Sequence, residues 1–226
     1  MQTVPIGFVS TKNKLYGWAS ALALITIFYN IAEGAVSVFF GMEDGSMSLF
    51  GFGLDSFVEV VSGIGIWHMV RRVRRNGGEN IDRFEKRALR ITGTAFYVLT
   101  AGLAITSLVD LYRGHRPEST FWGIIISIVS IFSMWALIRA KVSVGTKLNS
   151  QAILSDAACT RACLQLSVVL LAASAGYKLT GIGGLDSIGA LVIGLICFRE
   201  GKEAFEKARA GNFACTCGGS CDEAGR

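Results

Sequence analysis

The sequence predicts an all-α polytopic membrane protein with six transmembrane helices, and three observations carry that prediction. The chain of 226 residues is 51% hydrophobic, only 17% charged, and contains two prolines. Its mean hydropathy of +0.48 is unsuited to a soluble globule and ordinary for a helical bundle in lipid. Apolar stretches also recur at lengths that cross a hydrocarbon core of roughly 30 Å. Finally, the basic residues are segregated. Of the 22 Lys and Arg, all but Arg113, Arg116, Arg161 and Lys178 lie in the N-terminal arm, in 71–90, in 139–149 or beyond the last apolar stretch. The positive-inside bias then places both termini in the cytoplasm and the bundle in the cell (inner) membrane as a multi-pass protein. The net charge of +5 is therefore topological, and no nucleic-acid partner is expected.

In chain order, residues 1–14 form a cytoplasmic arm carrying Lys12 and Lys14. It lacks the apolar core and small-residue cleavage site of a removable signal, so the first span is expected to be retained. That span, Leu15 to Gly41, holds Asn30 and Glu33 one turn apart, with Ser37 on the same stripe. Polar groups at that depth must face the bundle. For Asn30 the leading expectation is a hydrogen bond to a neighbouring helix; for Glu33 that role and metal ligation stand level.

The second span, Met47 to Val70, is the most informative: SLFGFGLDSFVEVVSGIGIWHMV places Asp55 and Glu59 four residues apart, hence on one helix face, inside the membrane. An ionised carboxylate there costs several kcal/mol unless paired, hydrated or bound to a cation. Arg161 is the only cation the span boundaries place within the membrane, so a cation site outweighs a structural salt bridge. The span ends in Arg71, Arg72, Arg74 and Arg75, which with the rest of 71–90 form a solvated anchor attracted to anionic lipid. His68 and His115 have no ligand partner at useful spacing.

Spans three and four are Ile91 to Tyr112 and Thr120 to Ile138; Asp110, near the end of span three, is expected as an interfacial or entrance charge rather than part of a buried site. Span five, Gln151 to Tyr177, contains SDAACTRAC, in which Asp156, Cys159 and Cys163 follow an i, i+3, i+7 rhythm and share a stripe. Spans two and five run in opposite senses. If they are neighbours, Asp55 comes level with Cys163 and Glu59 with Cys159, a set of two oxygens and two sulfurs suited to Zn2+ or a softer divalent ion and poorly suited to Mg2+ or Ca2+. The alternative is that both thiols are small buried packing groups, the reading adopted for Cys197 in span six, Leu185 to Phe198. Short connections make 15–200 one transport domain. The remainder, 201–226, is a charged cytoplasmic extension ending in Cys215, Cys217 and Cys221, spaced to wrap one soft ion or incidental to a disordered tail.

The N-x-x-E of span one, the SLFGFGLDSFVEV of span two, and the SDAACTRAC and GGLDSIGALVIGLICFREG of spans five and six together resemble the cation diffusion facilitators, six-helix metal/proton antiporters. The resemblance implies a transport site at Asp55 and Glu59 with Cys159 and Cys163 where the family has His and Asp, and it implies a homodimer. It also implies a short branch, since the family's cytoplasmic metal-sensing domain is not seen after span six. The expected function is export of a divalent transition or heavy-metal cation from the cytoplasm against protons, with the ion as cargo, no resident cofactor and no enzymatic activity. The alternative is a non-transporting, membrane-embedded metal-binding or redox scaffold.

Overall fold

A computed structural model describes residues 6–76, 83–114, 120–182 and 184–211. The described residues form six helices: α1 (Ile6–Glu43), α2 (Met47–Asn76), α3 (Arg83–Arg113), α4 (Phe121–Leu148), α5 (Gln151–Thr180) and α6 (Gly184–Ala210). The protein is an all-α polytopic membrane protein, as the composition requires. Large apolar side chains such as Phe28, Val98, Phe132 and Leu195 point outward, as they must where the surrounding solvent is hydrocarbon. Five of the helices, α1 to α5, are long and apolar enough to span a membrane. α6 falls short by composition because its apolar stretch is bracketed by Asp186 on one side and by Arg199 and Glu200 on the other.

The helices outrun the apolar stretches that predicted them. α1 already begins at Ile6, and α2 continues through its arginines to Asn76. The basic segment 139–149, expected as a loop, is the last part of α4 up to Leu148. Once nucleated, a helix adds each further residue at little cost, and Arg and Lys are good helix formers. The chain then reverses through left-handed residues: Gly45 (φ 64°) after α1, Asn149 (φ 50°) after α4 and Gly181 (φ 69°) after α5.

α1 packs most extensively on α2, α3 on α6, and α4 on α5, while α2 also touches α3, α5 and α6. α2 is thus the central post. Its seam with α1 closes to backbone contact at Gly41 and Gly53: a Cβ on Gly53 would stand 2.7 Å from the Val38 nitrogen. Small residues permit such approach where no hydrophobic force draws helices together. The same end of α2 is also fixed by α6. The buried Asp186 carboxylate accepts from the backbone N–H of Met47 at 2.8 Å and from the Ser46 hydroxyl at 2.7 Å, capping the start of α2 from another helix. Phe52, Leu49, Leu166, Leu170 and Ile193 fill the core between α2, α5 and α6.

Candidate metal-transport site

Asp55 is 2% exposed and Glu59 is partly buried, on the side of α2 that meets α5 and α6. Each carboxylate contacts one thiol. Cys163 of α5 donates to Glu59 Oε1 in a very short contact, and Cys197 of α6 lies 3.4 Å from Asp55 Oδ1. The expected register is therefore corrected: Glu59, not Asp55, meets Cys163, and Cys197, expected as a packing residue and buried in the core, also reaches the Asp55 carboxylate. The cause lies in helix geometry. Four residues advance an α-helix by about 400°, so Glu59 is turned about 40° from Asp55. With α5 and α6 side by side on that face, the two acids look at different helices.

The residues of α1 support these acids. The Asn30 side chain donates to Glu59 Oε2 at 3.0 Å, the inter-helix bond its sequence position suggested. Glu33 accepts from the Tyr29 hydroxyl at 2.8 Å and from the Ser56 hydroxyl at 3.2 Å. Tyr29 was not singled out from the sequence, although its i, i+4 spacing to Glu33 was readable there.

The stripe of α5 is divided. Cys159 and Cys163 line one small cavity of about 40 Å³ with Glu59, Asp156 and Glu200. Asp156, however, is bound 3.0 Å from the ammonium of Lys141, which also donates to Thr160 at 2.9 Å. Lys141 is 1% exposed, so Arg161 is not the only cation inside the bundle, and Asp156 is an ion-pair partner before it is a ligand. Lys207 of α6, paired with Glu203 at 2.8 Å, lies 3.9 Å from the Cys159 sulfur. Arg161 lines a cavity of about 520 Å³ between α5 and α6, together with Arg199, Glu200, Glu203 and Glu206. That polar crevice accounts for a cation otherwise unplaced.

Glu200 is the one residue that lines both the crevice and the small cavity beside Glu59. Burial, and next the neighbouring Glu203 carboxylate, push its carboxyl up to about 7. Neither Glu200 nor Cys197 was identified from the sequence as a functional group. Their i, i+3 spacing on α6 repeats that of Asp156 and Cys159 on α5, and this was the available signal. Among the described residues no three His, Cys, Asp or Glu side chains converge to hold an ion as they stand. The arrangement is instead two thiol–carboxylate pairs one helical turn apart. Cys215, Cys217, Cys221 and His115 lie outside the described residues.

Residues 19–209, which take in the acids, thiols and ion pairs described on α1, α2, α4, α5 and α6, match the cation efflux transmembrane domain. The chain belongs to the cation efflux family. No curated protein matches it in sequence. Membership makes this cation efflux protein a multi-pass membrane transporter of cations rather than an enzyme.

Proposed function

We propose that this cation efflux protein exports a divalent transition or heavy-metal ion of the Zn2+ or Cd2+ kind from the cytoplasm, in exchange for protons, through a site between α2 and α5. Asp55, Glu59, Cys159 and Cys163 are its ligands; Asn30 and Glu33 support it, and Asp156 stands at its margin. The observation that supports this reading best is the contact of Cys163 with Glu59 inside the bundle. A carboxylate and a thiol at that depth make a mixed donor pair for a borderline or soft ion, and both must shed protons to bind it. Metal binding thus releases protons and protonation releases metal, which is the logic of an antiporter. The basic ends of α2, α4 and α6 face the cytoplasm of the inner membrane in this reading, by the positive-inside bias, and the protein works as a homodimer. Cys215, Cys217 and Cys221 would collect metal on the same side.

The deciding experiment is metal uptake into sealed proteoliposomes with and without a proton gradient opposed to metal movement. Flux is expected in the wild type, stimulated by the gradient. Asp55→Ala and Glu59→Ala should each abolish it while the protein still inserts and folds. Wild-type flux in both variants would sink the site assignment. No flux in any form of the protein, given correct insertion, would favour a membrane-embedded scaffold.

A further inference from the structure

The contact between α6 and α2 points beyond a site shared by α2 and α5. We propose that Cys197 of α6 is a metal ligand acting with Asp55, so that the path of the soft ion is lined by three helices. The inference deepens the proposed metal-transport function and rests on it.

Two features separate Cys197 from an ordinary buried cysteine. First, its partner is exceptional. Asp55 is 2% exposed, and the Cys197 thiol is the hydrogen-bond partner its carboxylate has among the described residues. A buried carboxylate normally gathers several donors, so one that meets a single weak S–H donor retains lone pairs aimed at a place where a cation would be stabilised.

Second, the separation fits. With metal–sulfur bonds near 2.3 Å and metal–oxygen bonds near 2.0–2.2 Å, the sulfur–oxygen edge of a tetrahedral complex is about 3.5 Å. The observed Cys197 Sγ to Asp55 Oδ1 distance is 3.4 Å. An ion can therefore replace the thiol proton on that edge with little movement of either side chain. The S–H bond breaks, the sulfur–metal bond forms on the same electron pair, and the proton leaves to solvent.

Cys197 itself is fully buried among Leu99, Phe96 and Ile193, on a helix that also presents Glu200 to the cavity beside Glu59. Four residues rise about 6 Å along a helix, so the Asp55–Cys197 edge lies one turn from the Glu59–Cys163 pair. The two edges form successive thiol–carboxylate stations for one ion. Thiolate at both favours Cd2+ and similarly soft ions over harder ones.

The chain has six cysteines, so full-length protein carrying Cys159→Ser, Cys163→Ser, Cys215→Ser, Cys217→Ser and Cys221→Ser retains only Cys197. Loaded with Cd2+ and examined by X-ray absorption at the cadmium edge, this protein should show one sulfur neighbour; none would overturn the proposal. In the otherwise wild-type chain, Cys197→Ser should weaken Cd2+ binding at least about tenfold, as loss of even a ligand's supporting partner does, and weaken Zn2+ binding less. Cys197→Ala keeps the apolar packing and should behave likewise. Wild-type Cd2+ affinity in both variants would overturn the proposal. If either variant misfolds, the sulfur count decides alone, because its protein keeps Cys197. No sulfur together with inactive Asp55→Ala and Glu59→Ala would remove only the role of Cys197, whereas full transport by those two alanine variants would remove the underlying site reading.

Discussion

An ammonium and a carboxylate buried together constrain each other strongly, because removing one strands the other. Lys141, 1% exposed, holds Asp156 at 3.0 Å and Thr160 at 2.9 Å, and so joins the end of α4 to the start of α5. Replacing Lys141 by Met should cost about 3–5 kcal/mol, the usual penalty for an unpaired buried charge. The double variant Lys141→Met with Asp156→Leu should recover most of that loss. Unfolding in mixed micelles measures both, and a Lys141→Met protein as stable as wild type would show that the pair holds nothing together. The same residue occupies Asp156, whose helical position faces the stripe of Cys159 and Cys163, with an ion pair. Its charge is already balanced by a partner that composition alone could only count as part of a basic end.

At the scale of the helices, the α1–α2 seam connects packing to function. Gly53 meets the backbone of Val38, and Gly41 that of Phe50, so neither position has room for a side chain. Gly53→Leu can be accommodated only if α1 and α2 separate, since the atom in the way is backbone nitrogen and no rotamer change moves it. The expected cost is about 1–3 kcal/mol, typical of overpacking. Separation also draws Asn30 away from Glu59, so metal affinity should fall with stability. A Gly53→Leu protein with wild-type affinity and stability would show that the close approach is incidental. Asp186 adds to this at the same, N-terminal end of α2, where an acid from α6 accepts from the first backbone donors of the helix.

For the whole molecule, the crevice between α5 and α6 and the small cavity beside Glu59 have Glu200 in common, which makes it the natural step between the basic end of the bundle and the interior. Its carboxyl, pushed up to about 7 by burial and by Glu203 against the opposing pull of Lys207 and Arg199, is neutral well below that pH and ionised well above it. Arg161 and Asp156 of α5 and Glu59 of α2 line the same spaces and set the remaining field. Only the ionised form attracts a cation. Glu200→Gln should therefore raise the half-saturating metal concentration at pH 8, leave the maximal rate in place, and matter little at pH 6. Transport assayed at both values checks this, and an equal effect at the two would rule out a role for the Glu200 charge.

The sequence by itself determined the membrane class, the all-α architecture, the placing of Asp55 and Glu59 on one stretch of α2, and the inward face of Asn30 and Glu33. Hydropathy, helical spacing and charge segregation are properties of a single stretch of chain, legible without knowledge of its neighbours. Tertiary structure decided the partnerships. Glu59 meets Cys163, Asp55 meets Cys197, Asp156 meets Lys141, and Arg161 faces a polar crevice. Those pairings depend on how helices are rotated and slid against one another. A turn of about 40° between residues four apart is enough to aim two acids of one helix at two different neighbours.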